Sequence, residues 1–300
     1  MSLLEPALLE SIARFMTPLL LAALGGALCE RAGVFNISLE GMMLTGAFFA
    51  VTGSFFTGTW VGGLALSLVA GAISGCVFWW FSVRRGGDDI VVSIGLNILA
   101  VGLSVTLLRV VFDTRGQFDD PAIDAIPSII IPVLSRLPYL GNVLSGQSLL
   151  FGFALFLAFA IQFLLYRHRF GLHLRAAGDN AAALQSVGVS ATRVQLLALA
   201  GCGMLCALAG AQLSLSNVTL FAEGMSAGRG WIAVVIVLMC AGRPLYIMPA
   251  ALFFGTVDAA GFRFQASGMP QQLTDSLPYV LAIVVLALSQ LVKRKRSSFR

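Results

Sequence analysis

The chain has 300 residues, of which 58% are hydrophobic and only 11% are charged, and its mean hydropathy is +0.91. A soluble domain of that polarity would aggregate, so the composition excludes a soluble globular protein and predicts an integral membrane protein. The formal net charge of +5 does not indicate a nucleic-acid partner. The basic residues cluster beside apolar segments, as they do in the cytoplasmic loops of membrane proteins.

Nine apolar segments, bounded by charges or turn residues, are candidates for membrane-spanning helices. They are residues 15–29, 36–54, 60–83, 90–112, 147–166, 193–215, 229–248, 249–263 and 276–292. No hydrophilic stretch is long enough for a separate soluble domain. We therefore predict one all-α polytopic membrane domain over residues 1–300, with about nine spans (eight to ten) and some of them discontinuous.

The orientation of these spans follows from the distribution of lysine and arginine. The basic tail 293–300 places the C-terminus in the cytoplasm, and counting back places residues 167–192 there too. The loop 113–146 then lies outside, and an odd number of spans leaves the N-terminus outside. An alternative is that residues 1–14 lie along the membrane interface as an amphipathic helix.

The first segment that breaks the apolar pattern is ERAGVFNISLEGMM, at residues 30–43. Polar groups at this depth are costly and indicate function. Asn36 or Ser38 can cap a restarted helix, which predicts a discontinuous helix facing a cavity. We interpret Asn36, Ser38 and Glu40 as candidates for lining a translocation pathway. The alternative is a short cytoplasmic turn in which Glu30 and Arg31 are simply solvated.

A second disturbance, SNVTLFAEGMSAGRGW, occupies residues 216–231. Its EGMS letters echo EGMM at residues 40–43, as expected if two halves of the fold are related by a repeat. Glu223 and Arg229 flank its small-residue turn. With the nearby aromatic side chains of Phe35 and Trp231 and the polar Asn97, they complete the predicted pathway residues. Structural pairing or contact with the membrane interface is the alternative for Asn97.

The segment RHRFGLHLRAAGDNAAALQSVGVSATR, at residues 167–193, differs in kind. A helix start at its Gly-Asp-Asn sequence, a run over residues 181–187 and a stop at glycine predict a short helix on the cytoplasmic face. We call residues 175–192 the docking segment; its candidate docking residues are Gly178, Asp179, Asn180, Ala183 and Gly188. The alternative is an ordinary amphipathic connector. His168 and His173 suit contact with phospholipid.

With these residues in view, the chain resembles the permease subunits of ATP-binding-cassette (ABC) importers of the branched-chain amino acid, ribose and nucleoside type, especially the nucleoside permeases that work with basic-membrane-protein-type binding proteins. The resemblance covers nearly the whole chain. Its strongest carriers are TPLLLAALGGALCERAGVFNISLEGMMLTGAF at 17–48, RAAGDNAAALQSVGVSATRVQLLALAGCGMLCALAGA at 175–211 and GMSAGRGWIAVVIVL at 224–238. It implies a ten-helix fold that lacks the first helix here, with the docking segment as coupling helix.

A division of labour among subunits is also expected. A P-loop needs a lysine, and the only lysines are Lys293 and Lys295 in the tail. ATP must therefore be hydrolysed by another subunit, and this chain is predicted to be a transport subunit that binds no cofactor or metal, with ATP and Mg on the partner. The resemblance implies a bacterial inner-membrane complex with a second, homologous permease, a cytoplasmic ABC ATPase and an extracytoplasmic substrate-binding protein.

The small-molecule substrate is expected to be a nucleoside, with simple sugars, purine bases or riboflavin as alternatives that related branches carry. Two other classes compete. A self-sufficient secondary transporter would couple to ions through acidic residues such as Glu40 and Asp258, but no span carries paired carboxylates. An intramembrane enzyme would need a nucleophile with a base or a metal cluster, whereas both histidines lie in one cytoplasmic loop.

Overall fold

The computed structural model describes residues 6–129, 146–266, 272–274 and 276–284. Its helices are α1 Pro6–Arg31, α2 Leu39–Thr57, α3 Trp60–Trp79, α4 Asp89–Phe112, α5 Leu149–Arg167, α6 Arg169–Asp179, α7 Ala181–Ser186, α8 Ala191–Ala211, α9 Arg229–Cys240 and α10 Pro244–Ala266. π-Helical turns extend α3 over Trp80–Arg84 and α8 over Gln212–Asn217. Residues 272–274 and 276–284 are also helical.

Two small antiparallel sheets accompany the helices, although the sequence predicted no strands. Strand β1, Gln117–Phe118, pairs with β4, Phe221–Ala222, and Phe118 lies opposite Phe221. Strand β2, Ser128–Ile129, pairs with β3, Gln147–Ser148. Each strand has two residues, so the sheets fasten loops together without forming a layer of the fold.

Seven helices in the described part of the chain are long and apolar enough to cross a membrane, which makes this a multi-pass membrane protein. They match seven of the nine predicted spans. The other two differ: residues 229–240 form a shorter apolar helix, and the predicted span 276–292 is described only as far as residue 284. The count of nine and the side on which each terminus lies remain predictions.

One alternative is not supported and one predicted boundary was wrong. Helix α1 begins at Pro6 and runs without a break into the first span, so residues 6–14 do not form the separate interfacial helix considered as an alternative. The division between residues 248 and 249 was misplaced, because the chain turns at Ala241 and Gly242, with φ of 49° and 60°. This left-handed pair ends α9, and Pro244 begins α10.

The core forms where α1, α2, α3 and α8 pack closely together. A β-carbon on Gly46 of α2 would overlap Ala207 of α8, and one on Gly71 of α3 would overlap Gly203 of α8. Small residues allow this close approach, which favours helix association in a bilayer. Much of α4 and α5 remains exposed, with apolar side chains such as Ile98 and Phe156 suited to face lipid.

The two ends of the bundle are built differently. At the α6–α7 end, the Nε atom of Arg31 donates to the carbonyl oxygen of Gly242 (3.1 Å), and Gln195 Nε2 donates to that of Ala32 (3.1 Å). At the opposite end, which carries the short sheets, Ser54 Oγ bonds the backbone of Asp124, and the Asp124 carboxylate accepts the N–H of Trp60. The first end joins helix termini, whereas the second seats a loop on the α2–α3 turn.

Candidate functional site

The segment between α1 and α2, residues 32–38, is a non-helical interruption in the bundle and is called the first interruption. Three side chains one turn apart on α4, Asp89, Ser93 and Asn97, form the polar ladder that supports it. Asp89 Oδ2 accepts the N–H of Phe35 (2.9 Å), and Ser93 Oγ accepts that of Ile37 (3.0 Å). Backbone groups without partners are costly in a membrane, so the polar ladder makes this irregular backbone tolerable.

The third side chain of the polar ladder, Asn97, makes two bonds. Its Oδ1 accepts the N–H of Gly41 in the first turn of α2 (2.8 Å), and its Nδ2 donates to the carbonyl oxygen of Ile37 (3.2 Å). Gly41 has no room for a β-carbon, which would lie 2.9 Å from Asn97. The predicted pathway residue Asn97 therefore connects the first interruption to the start of α2.

Asn36 lies at the turn into α2 but does not cap that helix, contrary to the prediction: the N-cap residue is Ser38, whose side chain makes no capping hydrogen bond. The Oδ1 atom of Asn36 accepts the N–H (2.8 Å) and the hydroxyl (2.6 Å) of Ser38, which forms an Asx turn. Its Nδ2 contacts only sulfur: Cys202 Sγ (3.6 Å), Cys29 Sγ (3.8 Å) and Met42 Sδ (3.9 Å). Thiol and thioether sulfurs are weak acceptors. Asn36 is only 7% exposed, so in this conformation it lies within the protein.

The carboxylate of Glu40, in the first turn of α2, holds the beginning of α9. Its Oε1 accepts the N–H of Gly228 (2.8 Å) and its Oε2 that of Gly230 (2.6 Å). A negative charge is favourable at a helix N-terminus, where N–H groups have no partner within the helix. A β-carbon on Gly230 would overlap the backbone of Glu40, so the two helix starts are in direct contact.

Helix α9 is too short to cross the bundle, so it is a second irregular element beside the first interruption. Its twelve residues span roughly 18 Å at 1.5 Å per residue, against about 30 Å for the hydrocarbon core of a bilayer. It ends at the α6–α7 end, beside Arg31. Its start therefore lies at depth within the bundle, and the preceding residues 218–228, called the second interruption, lead to it from the sheet-bearing end. The second disturbance in the apolar pattern, at residues 216–231, thus lies where a short helix begins.

The predicted pathway residues of this second region are separated. Glu223 lies exposed beside the short sheets, where its Oε1 accepts the N–H of Gly116 (3.1 Å). Arg229 is half-buried, with its guanidinium 5.7 Å from the ring centroid of Phe15. Trp231 is 43% exposed on the surface of α9. The structure thus brings Arg229 close to Glu40, whereas Glu223 lies apart from both.

The docking segment contains the end of α6 and all of α7. Asn180 caps α7, because its Oδ1 accepts the N–H of Ala183 (3.0 Å), and this confirms the predicted helix start. The helix ends at Ser186, and Gly188 follows with φ of +81°. Leu184 is its buried side chain, whereas Asp179, Asn180, Ala183 and Gly188 are exposed and Val187 is 71% exposed. The sequence had not predicted α6.

The docking segment touches the first interruption directly, backbone to backbone. A β-carbon on Gly178 would lie 2.6 Å from the carbonyl oxygen of Arg31 and 2.8 Å from the nitrogen of Gly33. A β-carbon on Gly33, which has φ of +73°, would lie 2.7 Å from Gly178 Cα. No side chain separates the two segments at this point. The end of α6 and the end of α1 are therefore in direct backbone contact.

Two residues of the site were missed by sequence reasoning. Ser93 had been assigned to an ordinary apolar span that begins at residue 90, and Asp89 to the loop before it, yet both hold the first interruption. Asp89 also accepts a hydrogen bond from the hydroxyl of Ser82. The signal was present, because Asp89, Ser93 and Asn97 follow one another every four residues and so share one helix face.

Comparison with known proteins gives a consistent picture. The family model described as "Branched-chain amino acid transport system / permease component" matches residues 8–286. The nucleoside ABC transporter permease protein NupC of Lactococcus lactis is 31% identical, covering 91% of this chain and 89% of NupC. The guanosine ABC transporter permease protein NupQ of Bacillus subtilis is 28% identical, covering 95% of this chain and 91% of NupQ.

Other relatives extend this comparison. The glucose ABC transporter permease protein TsgB13 of Haloferax volcanii is 27% identical, covering 93% of this chain and 76% of TsgB13. Lactococcus lactis and Bacillus subtilis each have a second permease protein similar to this chain, NupB and NupP. No solved structure matches the chain significantly.

Proposed function

The chain belongs to the branched-chain amino acid transport system permease family, and we propose that it forms part of the translocation pathway of an ATP-driven importer for nucleosides. Like its permease relatives, it is a transport component and not an enzyme. The names of NupC and NupQ support a nucleoside as substrate. The name of TsgB13 makes a simple sugar such as glucose the second candidate.

The observation that carries this proposal is the contact between Gly178 and Gly33, because it joins an exposed docking segment to an interrupted helix. In the proposed mechanism, closure of a cytoplasmic ATPase dimer on ATP moves α6 and α7. The first interruption follows, and α2 moves with it. The Glu40 carboxylate then carries the movement to the start of α9. Alternating access results when these helix starts separate and meet again.

Within this mechanism the predicted residues take distinct roles. Phe35, Asn36, Ser38, Glu40 and Asn97 form a gate at the first interruption, and Arg229 and Trp231 line the pathway along α9. Glu223 lies at its mouth, beside the short sheets. Gly178, Asp179, Asn180, Ala183 and Gly188 provide the coupling to the ATPase. The bonds across the gate and the exposure of α7 support these assignments.

The complete importer would contain a second permease, a cytoplasmic ABC ATPase and an extracytoplasmic binding protein. The NupB–NupC and NupP–NupQ pairs support the second permease. We further propose that residues 1–300 are one permease domain in a bacterial inner membrane, with nine spans, an external N-terminus and a cytoplasmic C-terminus. ATP and Mg would bind the ATPase, and this chain would bind no cofactor of its own.

The test is uptake into proteoliposomes that contain this chain with its neighbouring permease, ATPase and binding protein. We expect ATP-dependent accumulation of radiolabelled guanosine, and none when the P-loop lysine of the ATPase is replaced. Glucose and riboflavin are assayed in parallel. Accumulation of glucose alone would overturn the substrate and keep the transporter class. Uptake by this chain without the ATPase would overturn the class.

A further inference from the structure

A cavity of about 360 Å³ lies between α1, α9, α10 and the helical residues 272–274 and 276–284. Its volume falls within the range of small-molecule sites, roughly 300–1,000 Å³. Each of these elements contributes to the lining, which combines aromatic rings with polar side chains. The residues are Phe15, Arg229, Asp258, Phe262, Gln265 and Tyr279. The first interruption and its polar ladder contribute no residue to it. It is therefore a separate feature from the gate.

Arg229 is the side chain around which this cavity is arranged. Its Nε atom is buried and has no hydrogen-bond partner among the described residues. Its Nη1 atom is 3.4 Å from the carbonyl oxygens of Met225 and Ser226, at the long end of hydrogen-bond geometry. A buried donor without a partner costs free energy. A ligand carrying a hydrogen-bond acceptor would remove that cost.

A second cavity of about 440 Å³ adjoins the first one. It reaches the β4 region through Ala222 and Met225, and shares three lining residues with the first cavity: Phe15, Arg229 and Phe262. Arg229 and the two rings therefore form the partition between the two cavities. Movement of this partition would open a continuous passage from the sheet-bearing end toward α10.

The position of Arg229 depends on Glu40. The two N–H groups that the Glu40 carboxylate holds belong to Gly228 and Gly230, the residues on either side of Arg229. Tyr279 closes the opposite side, with its hydroxyl donating to the carbonyl oxygen of Ala227 (3.5 Å). Glu40 is thus a positioning residue, through which the state of the gate determines where the Arg229 guanidinium points.

The composition of the lining indicates the chemistry of the ligand. One cationic and one anionic side chain line the cavity, Arg229 and Asp258, so the site suits a neutral molecule better than an ion. The rings of Phe15, Phe262 and Tyr279 suit a flat heteroaromatic group. We propose that this cavity binds the substrate within a single permease subunit, as a neutral heteroaromatic compound of nucleoside size. The substrate class rests on the proposed function.

Substrate protection of a single cysteine tests this site. Phe262→Cys is introduced after replacement of the five native cysteines, and the assembled importer without binding protein is labelled with a small maleimide. We expect guanosine to slow labelling at least about fivefold, equivalent to occupancy of about 80% at one site. Asp119→Cys, exposed at the sheet-bearing end and outside the lining of the cavity, is the control and should label at an unchanged rate. Ile232→Cys replaces Phe262→Cys if that variant does not assemble.

Two further variants separate binding from packing. Arg229→Gln should weaken equilibrium binding of radiolabelled guanosine at least about tenfold, a loss of about 1.4 kcal/mol. Arg243→Gln, at the α6–α7 end, should bind as the unmodified importer does. The contradicting outcome is that the unmodified importer takes up guanosine although guanosine does not protect the cysteine and its binding does not depend on Arg229. In that case the site is wrong and the proposed function stands. If the unmodified importer takes up no nucleoside, the proposed function fails first.

Discussion

The two interruptions of the bundle are supported in different ways. Residues 32–38 and the first turn of α2 are held by four hydrogen bonds from the three side chains of the polar ladder. These side chains are spread over two turns of α4. The second interruption is fastened at its outer part by the β1–β4 pairing, and where it enters α9 by the carboxylate of Glu40. The first interruption is therefore supported by three side chains, whereas the start of α9 depends on one.

This difference indicates how the two regions move. A distributed set of bonds can be exchanged one at a time, so the first interruption can slide along α4 without leaving many backbone groups unpaired. A single carboxylate that holds two N–H groups places both bonds on one side chain, so a displacement of that side chain weakens both together. We therefore expect the first interruption to respond gradually to the docking segment, and the start of α9 to switch between two positions.

Glu40→Gln should produce the largest effect. Each hydrogen bond to a charged group contributes about 1.5–3 kcal/mol; glutamine keeps one acceptor oxygen without the charge, and its amide nitrogen cannot accept the second N–H group. We expect a clear fall in the thermal unfolding temperature of the purified complex and loss of most ATP-driven uptake. Glu10→Gln is the matched control, because Glu10 forms an exposed pair with Arg14, worth about 0–1 kcal/mol. Equal effects of the two substitutions would contradict the role of Glu40.

Substitutions in the polar ladder should have smaller, graded effects. Asn97→Ala removes two bonds across the interruption and Ser93→Ala removes one, at about 1 kcal/mol per bond. The thermal unfolding temperature of the purified complex should be lowest for Asn97→Ala, higher for Ser93→Ala and highest for Ser74→Ala. Ser74 bonds only to the carbonyl oxygen one turn back in its own helix. If either substitution matched Glu40→Gln, the support of the first interruption would not be distributed.

Asn180→Ala should have the smallest effect, confined to the docking segment. Loss of a helix N-cap costs about 1 kcal/mol, which corresponds to roughly fivefold weaker binding of the ATPase if α7 must be helical to dock. Asn180→Asp keeps an acceptor for Ala183 and should restore binding. Titration of the ATPase onto the purified permease pair would measure both. If Asn180→Ala and Asn180→Asp weakened ATPase binding equally, the helix cap would not contribute to docking.

Much of the fold could be predicted from the sequence, because a bilayer imposes a strong pattern. Long stretches without charge located seven spans, and the polar residues at 30–43 marked the first interruption. Asn180 identified the start of α7 because caps act on neighbouring backbone. The end of α9 was misplaced because an alanine, Ala241, adopts a left-handed conformation that its side chain does not favour.

The site itself depended on contacts between distant residues. Glu40 was selected as a polar residue in an apolar region, yet its partners lie 188 and 190 residues away in the chain. The contact of Gly33 with Gly178 involves only backbone atoms, so no side chain in the sequence indicates that the two residues meet. The aromatic cavity beside Arg229 assembles from four separate segments. Single-sequence reasoning supplies such residues but not their pairing.

The most direct test of the account is the ratio of nucleoside uptake to ATP hydrolysis in the same vesicles for Gly178→Ala. The added methyl overlaps the end of α1, and such overpacking costs about 1–3 kcal/mol. Gly152→Ala is the control, since a β-carbon there meets nothing within 4 Å. We expect continued ATP hydrolysis with guanosine uptake reduced about tenfold, a coupling loss of about 1.4 kcal/mol. An unchanged ratio would contradict transmission through Gly178 and Gly33.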